Sequence, residues 1–125
     1  EHPDRLRPYL NRNERYTFFR IWKGEMIGSL GLQLIPERSI ATDKQIFPSG
    51  ALSYIVTPIP SVNSSEKTEK TIPWSRFVLT QDEGVAIRGP HRVDIFFGTG
   101  AQAELIASHL KHPGKLYYLI VKDSS

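Results

Sequence analysis

The sequence contains no cysteine, and that one absence removes disulfide frameworks, cysteine-based zinc sites and thiol nucleophiles together. It leaves the redox compartment open, because an oxidising compartment permits disulfides without requiring them. No apolar run comes near the roughly 18–20 residues needed to cross a bilayer. There is no G-x-S-x-G turn, no H-E-x-x-H, no P-loop lysine and no G-x-G-x-x-G, so the commonest signatures of serine hydrolases, zinc proteases and nucleotide enzymes are missing. Charge of one sign is scarce as well. Lys and Arg number 16 against 13 for Asp and Glu, a surplus of +3 that is too small to indicate nucleic acid but suits an anionic polymer or surface. The chain starts at Glu1 rather than Met and is expected to be a processed form or fragment whose targeting segment is out of view. What is present, 125 residues with 39% hydrophobic content, is enough for one domain with a single core.

Residues 1–15 are rich in Arg, Asn and Pro and read as a lead-in, in which Leu6 and Leu10 are spaced for a short helical turn. Strand-like runs follow at 16–22, 30–35, 39–43, 51–59, 74–81, 93–97 and 116–122, each dense in β-branched or aromatic residues or bounded by Gly and Pro. Pro36 is expected to stop the second run, and Pro58 and Pro60 the fourth. Residues 61–73 open with a polar, low-complexity stretch and read as a flexible surface loop between two strands. One helix is signalled. Thr99 and Gln102 have capping-box spacing, Ala103, Ile106, Ala107 and Leu110 repeat at helical intervals, and Lys111-His112-Pro113-Gly114 forms a stop. A mainly β domain with one helix near its C-terminal end follows, and a closed barrel is the natural way to remove its strand edges.

Few residues offer chemistry. His109 and His112 could share a helix face, but two histidines without a nearby carboxylate make a poor zinc site, and solvated histidines at a helix end are the better explanation. His91 lies in a Gly-Pro-His-Arg loop and is either a ligand contact or a plain loop residue. The carboxylates say more. Asp43 and Asp82 each end a strand, and Asp94 sits inside an apolar one. In that strand Val93, Ile95 and Phe97 point one way, toward the expected core, and Asp94 and Phe96 the other. Asp94 is then either an outward residue, solvated or paired with Arg92, or a functional acid beside an aromatic ring. Gly84, Gly89, Gly98 and Gly100 flank these runs and either form ordinary turns or let a ligand approach the backbone.

Longer motifs resemble a known family. Glu37-Arg38-Ser39-Ile40-Ala41-Thr42-Asp43 followed by Ile46-Phe47-Pro48-Ser49-Gly50-Ala51, then Gln81-Asp82-Glu83-Gly84-Val85-Ala86-Ile87-Arg88-Gly89-Pro90, then Arg92-Val93-Asp94-Ile95-Phe96-Phe97-Gly98-Thr99-Gly100, and finally Lys111-His112-Pro113-Gly114-Lys115-Leu116 are similar, in order, to stretches of the membrane-bound lytic murein transglycosylase A family. Asn13-Glu14-Arg15-Tyr16-Thr17-Phe18-Phe19-Arg20 resembles another, so the likeness runs over residues 3–122. Asp43, Asp82 and Asp94 also look like the aspartates that name the three-aspartate (3D) domains. Both groups imply a six-stranded double-psi β-barrel over residues 16–125, as the C-terminal part of a longer protein. This chain departs from the family pattern at Glu83 and Val85, which add a charge beside Asp82 and a branched side chain where backbone is usually bare.

The resemblance implies a periplasmic enzyme, with a possible lipid anchor to the outer membrane outside this chain. It would cleave the β-1,4 bond between N-acetylmuramic acid and N-acetylglucosamine in peptidoglycan glycan strands without water, leaving 1,6-anhydromuramic acid. It implies Asp94 as the catalytic acid and then base, with Asp82 beside it, and Asp43, Gln81, Glu83, Gly84, Arg88, Phe96 and Gly98 along the substrate. Asp94 would have to carry a proton before turnover, which partial burial by Phe96 and like charge from Asp82 would favour. Asp43 is expected to orient a loop through backbone N–H groups. No cofactor, metal or nucleic acid is implied, and a second domain of the substrate groove is expected outside the chain. Two other readings stay open: a barrel that binds glycan without cutting it, and ordinary hydrolysis with Glu83 or Asp43 activating water.

Overall fold

The computed structural model describes residues 6–14, 18, 21–61 and 70–122. In chain order the elements are helix α1 (Leu6–Leu10), strands β1 (Ser39–Ala41), β2 (Leu52–Pro60), β3 (Thr71–Asp82) and β4 (Asp94–Ile95), helix α2 (Ala101–His109) and strand β5 (Lys115–Tyr118). The strands form one sheet in the order β4-β1-β3-β2-β5. β1 runs parallel to β3, and the other pairings are antiparallel.

The sheet is built on the β2–β3 hairpin. Burial along β2 alternates strictly, with Ser53, Ile55, Thr57 and Ile59 turned inward, as a half-buried strand requires. Trp74, Val78 and Thr80 of β3 turn to the same side. Ile40 of β1 joins them, and Val93, Ile95, Phe97, Leu110 and Leu116 close over this cluster. The expected inward set of Val93, Ile95 and Phe97 is therefore found, with the Phe97 ring 5.9 Å from that of Trp74. Truncating a side chain as enclosed as Ile40 to Ala would cost about 2–5 kcal/mol.

Several sequence expectations need correction. The prolines do not stop β2. Pro58 faces Pro73 across the hairpin and Pro60 faces Thr71. Two opposed prolines can only form a non-hydrogen-bonded pair, where no N–H is needed, so the ladder passes through them. Residues 71–73, read as the end of a loop, are consequently the start of β3, while positions 62–69 of that loop lie outside the described residues. Residues 30–35 are not a strand. Gly31, at φ 73°, reverses the chain inside the run, and Gly28 N–H to Leu32 O (2.9 Å) closes a tight turn. Most of the run at 16–22 lies outside the described residues, and Phe18, Ile21 and Trp22 belong to no strand. The six strands expected are thus five among the described residues, and β4 and β5 are left as edges of an open sheet. Helix α2 begins after Gly100, at φ 94°, with no side-chain cap, so Thr99 and Gln102 do not form the capping box their spacing suggests. The helix ends at His109, which puts His112 beyond it rather than on a shared face.

Candidate active site

β1 is the short strand between β4 and β3 that positions the three aspartates. Asp43 follows it by two residues and is 4% exposed. Its Oδ2 accepts the Gly89 N–H at 2.8 Å and its Oδ1 the Gln45 N–H at 3.0 Å, while Arg88 Nη1 stands 3.7 Å from Oδ1. These contacts tie the loop after β1 to the loop before β4. The Gly89 and Gln45 N–H groups, aided by Arg88, hold the Asp43 carboxyl below its ordinary value against the opposing effect of burial. The far end of the same loop is held by Thr80, whose hydroxyl donates to Pro48 O and accepts the Ala51 N–H, both at 2.8 Å. Phe47 stacks on Tyr118 at 5.1 Å.

Asp82 and Asp94 lie on either side of β1. Ala41 is the register partner of Asp82 in β3 and of Asp94 in β4, so two strand spacings, about 10 Å, separate their backbones. A bulge between Ile40 and Ala41 skips Gln81 and brings Asp82 into that row. No hydrogen bond or ion pair joins the two acids. Asp82 Oδ1 accepts the Ser29 N–H at 2.9 Å, anchoring the 28–31 turn against the end of β3. Asp94 is held by a fork: Arg92 Nε donates to Oδ1 at 3.0 Å and Nη2 to Oδ2 at 3.2 Å, and Nη1 reaches Ala86 O at 3.1 Å. Arg92 precedes β4 by two residues, close enough in the chain for its guanidinium to fold back onto the Asp94 carboxylate. The pairing holds Arg92 more firmly in its charged form. The Asp94 side chain is 48% exposed, so it lacks the burial beside Phe96 that the sequence suggested.

The other residues named in advance have structural partners. Gln81 Oε1 accepts from Ser39 Oγ at 2.6 Å, and Ser39 Oγ accepts the Ile35 N–H. Glu83 pairs with Lys44 at 2.8 Å rather than bearing on Asp82, and Val85 projects into solvent. Gly84 packs against Ile87, and Gly98, at φ 95°, against Pro36. Phe96 bridges backbone, its N–H to Ser39 O and its C=O from Glu37 N–H. Among all these positions only Asp94 lines the cleft of about 770 Å³ that opens between the 90–97 segment, the end of α2 and β5. Sequence reasoning missed Ser29 and Lys44, which lie 53 and 39 residues from their partners and carry no local signal.

Three aspartates set around one buried strand of a mainly β sheet define a class. A family model described as the 3D domain matches residues 38–120, and the chain belongs to that family. More particularly, it is homologous to the membrane-bound lytic murein transglycosylase A of Vibrio cholerae, with 31% identity over 120 residues, covering 95% of this chain and 32% of the relative. Among solved structures it is similar to a lytic transglycosylase, LtgG, of Burkholderia pseudomallei (35% identity, TM-score 0.67, 94% of this chain and 34% of that one). It is also similar to MltA from Neisseria gonorrhoeae (34% identity, TM-score 0.67, 93% of this chain and 28% of that one). The chain therefore spans about a third of the length of these relatives.

Proposed function

We propose that this chain is the catalytic portion of a peptidoglycan lytic transglycosylase and that Asp94 is its acid and base. The observation that carries the reading is the position of Asp94: within the family's motif it is the one aspartate of the three that lines the cleft. As an acid, Asp94 gives its proton to the oxygen leaving muramic C1. As the resulting carboxylate, it takes the proton of the muramic C6 hydroxyl, whose oxygen bonds to C1. One bond breaks and one forms, the proton count closes, and no water enters. Attack within one sugar ring also gains from proximity.

The resting fork pairs Arg92 with a carboxylate, whereas the first step needs a carboxylic acid. In this reading substrate entry separates the two, and the half-exposed Arg92 side chain has room to swing. Asp43 acts one step back, fixing the loops that frame the cleft. The open sheet is read as part of a double-psi β-barrel. A second domain facing the cleft, and periplasmic work at the outer membrane, are inferred from relatives three times as long that are named as membrane-bound. The exposed, forked state of Asp94 favours a second reading, a module that binds glycan without cutting it.

Asp94→Asn in the full-length protein separates the two readings. The catalytic one expects anhydro-product formation from purified murein to fall by about 10²–10⁴-fold, with circular dichroism unchanged. A variant that still releases anhydromuropeptides at the parental rate removes Asp94 from catalysis. Products heavier by one water would indicate hydrolysis instead.

A further inference from the structure

We infer that the cleft beside Asp94 carries a subsite for the peptide stem of muramic acid, with Lys111 and Lys115 binding the stem's carboxylates. This deepens the transglycosylase reading and rests on it. The two walls of the cleft are basic. His91 and Arg92 line one, and Lys111, His112 and Lys115 line the other, while Asp94 is the sole carboxylate on either. Arg92 is already committed to Asp94. The ammonium groups of Lys111 and Lys115 have no ion-pair or hydrogen-bond partner among the described residues. Two uncompensated ammonium groups therefore share one concave surface, where low-dielectric walls strengthen their field.

The loop that bears them is fixed. The Leu110 N–H caps α2 on Ile106 O at 3.0 Å, and Leu110 and Leu116 both pack on the core. Between them Gly114 sits so close to β2 that a Cβ there would stand 2.8 Å from Thr57 Cβ and from Val56 O. Lys115 pairs directly with Val56. The cations are thus presented from a rigid edge. Below them His112 Nδ1 is buried without a hydrogen-bond partner. The floor is apolar, formed by Ile55, Val93, Ile95, Phe97 and Leu116.

The glycan chain itself offers little to such a surface, because in stemmed strands the lactyl carboxyl of muramic acid is tied up as an amide and both sugars are neutral. The peptide attached to the muramic lactyl group supplies what the cleft lacks: carboxylates for the lysines and short aliphatic side chains for the floor. A ligand of that kind is also tethered to the very sugar whose C1 would face Asp94.

The test compares kcat/KM of the full-length protein on glycan strands with stems, on the same strands after an amidase has removed the stems and the freed lactyl carboxyls have been converted to methylamides, and on strands whose stem carboxylates are amidated. The wild type should prefer intact stems by about fivefold to tenfold, the scale of two partly exposed ion pairs. Amidated stems should behave like absent ones, and Lys111→Gln/Lys115→Gln should bring the ratio close to one. A wild-type ratio of one, or a ratio that survives the double substitution, overturns the proposal. Binding of a disaccharide-tetrapeptide against the disaccharide with its lactyl carboxyl as the methylamide is measured in parallel. If no strand yields anhydro product, the transglycosylase reading fails by itself. The stem subsite then stands if the tetrapeptide form binds more tightly and the double variant abolishes the difference, and it falls if the two ligands bind alike.

Discussion

Asp43 illustrates how a buried carboxylate can order loops from two parts of the chain without lining the cleft. Its two oxygens take up the N–H groups of Gln45, two residues on, and of Gly89, 46 residues on. Protonation would replace two charge-assisted hydrogen bonds with weaker ones. Its folded value lies below the ordinary 3.8, through the Gly89 and Gln45 N–H groups first and Arg88 last. A group depressed on folding stabilises the fold fully above its unfolded value, and that stability is lost as pH falls through the folded value. Thermal midpoints should therefore drop in the region below about pH 4, and Asp43→Asn should flatten that segment while lowering the neutral-pH midpoint by a few degrees. Midpoints recorded against pH for both proteins check this, and parallel curves would mean the bonds contribute nothing. At this scale the sequence was partly legible. The motifs singled out Asp43, Asp82 and Asp94, and strand alternation allowed the Arg92–Asp94 pair as one of two readings. Ser29 on Asp82 and Lys44 on Glu83 were invisible, because nothing near them in the chain distinguishes them from surface residues.

Periodicity revealed elements better than it revealed their ends. The run at 51–59 is found as β2, and Ala103 and Ile106 of α2 are buried as their spacing requires, although β2 turns Ser53 and Thr57 inward and Leu52 and Val56 outward, a burial alternation its composition does not show. The ends were set by geometry that composition does not show. Opposed prolines carry the β2–β3 ladder past the stop they seemed to announce, and a left-handed glycine breaks the run at 30–35. The start of α2 offers a direct comparison between pattern and structure. Its first intrahelical bond, from Glu104 N–H, ends on the Gly100 carbonyl, and no side chain caps it. Thr99→Ala should then change stability by less than about 0.5 kcal/mol, as at an ordinary surface position, rather than the ~1 kcal/mol of a true N-cap. Gly100→Ala should cost roughly 1–2 kcal/mol, because Gly100 holds φ at 94° where a Cβ is strained. Urea denaturation of both variants decides the point. A large effect at Thr99 with none at Gly100 would restore the capping box.

The order β4-β1-β3-β2-β5 is a property of the whole molecule that no local pattern encodes, because the parallel contact of β1 with β3 skips the strand between them in sequence. Its consequence is a sheet with two different faces. The inner face holds the core. On the outer face Tyr54 stands between Phe77 and Tyr117 across the strands, with the Phe77 ring 4.9 Å away. Leu52 and Leu79 form the next row. Phe77 is 53% and Tyr117 51% exposed, and Val56 and Leu119 extend the patch. Contiguous apolar surface of this kind draws molecules together in water, and the open edges at β4 and β5 add unpaired backbone groups that favour the same outcome. A surplus of three positive charges is a weak counterforce at physiological salt. The 125-residue chain by itself should therefore associate with rising concentration, in the tens of micromolar by the ordinary scale of weak interfaces. Phe77→Thr/Tyr117→Thr keeps strand-forming residues on the ladder while removing the aromatic pair, and it should shift sedimentation-velocity profiles toward monomer without changing the far-ultraviolet spectrum. A wild-type chain that stays monomeric across that range would show that the outer face tolerates water as it stands, and that the aromatic row stabilises the sheet through its cross-strand contacts alone.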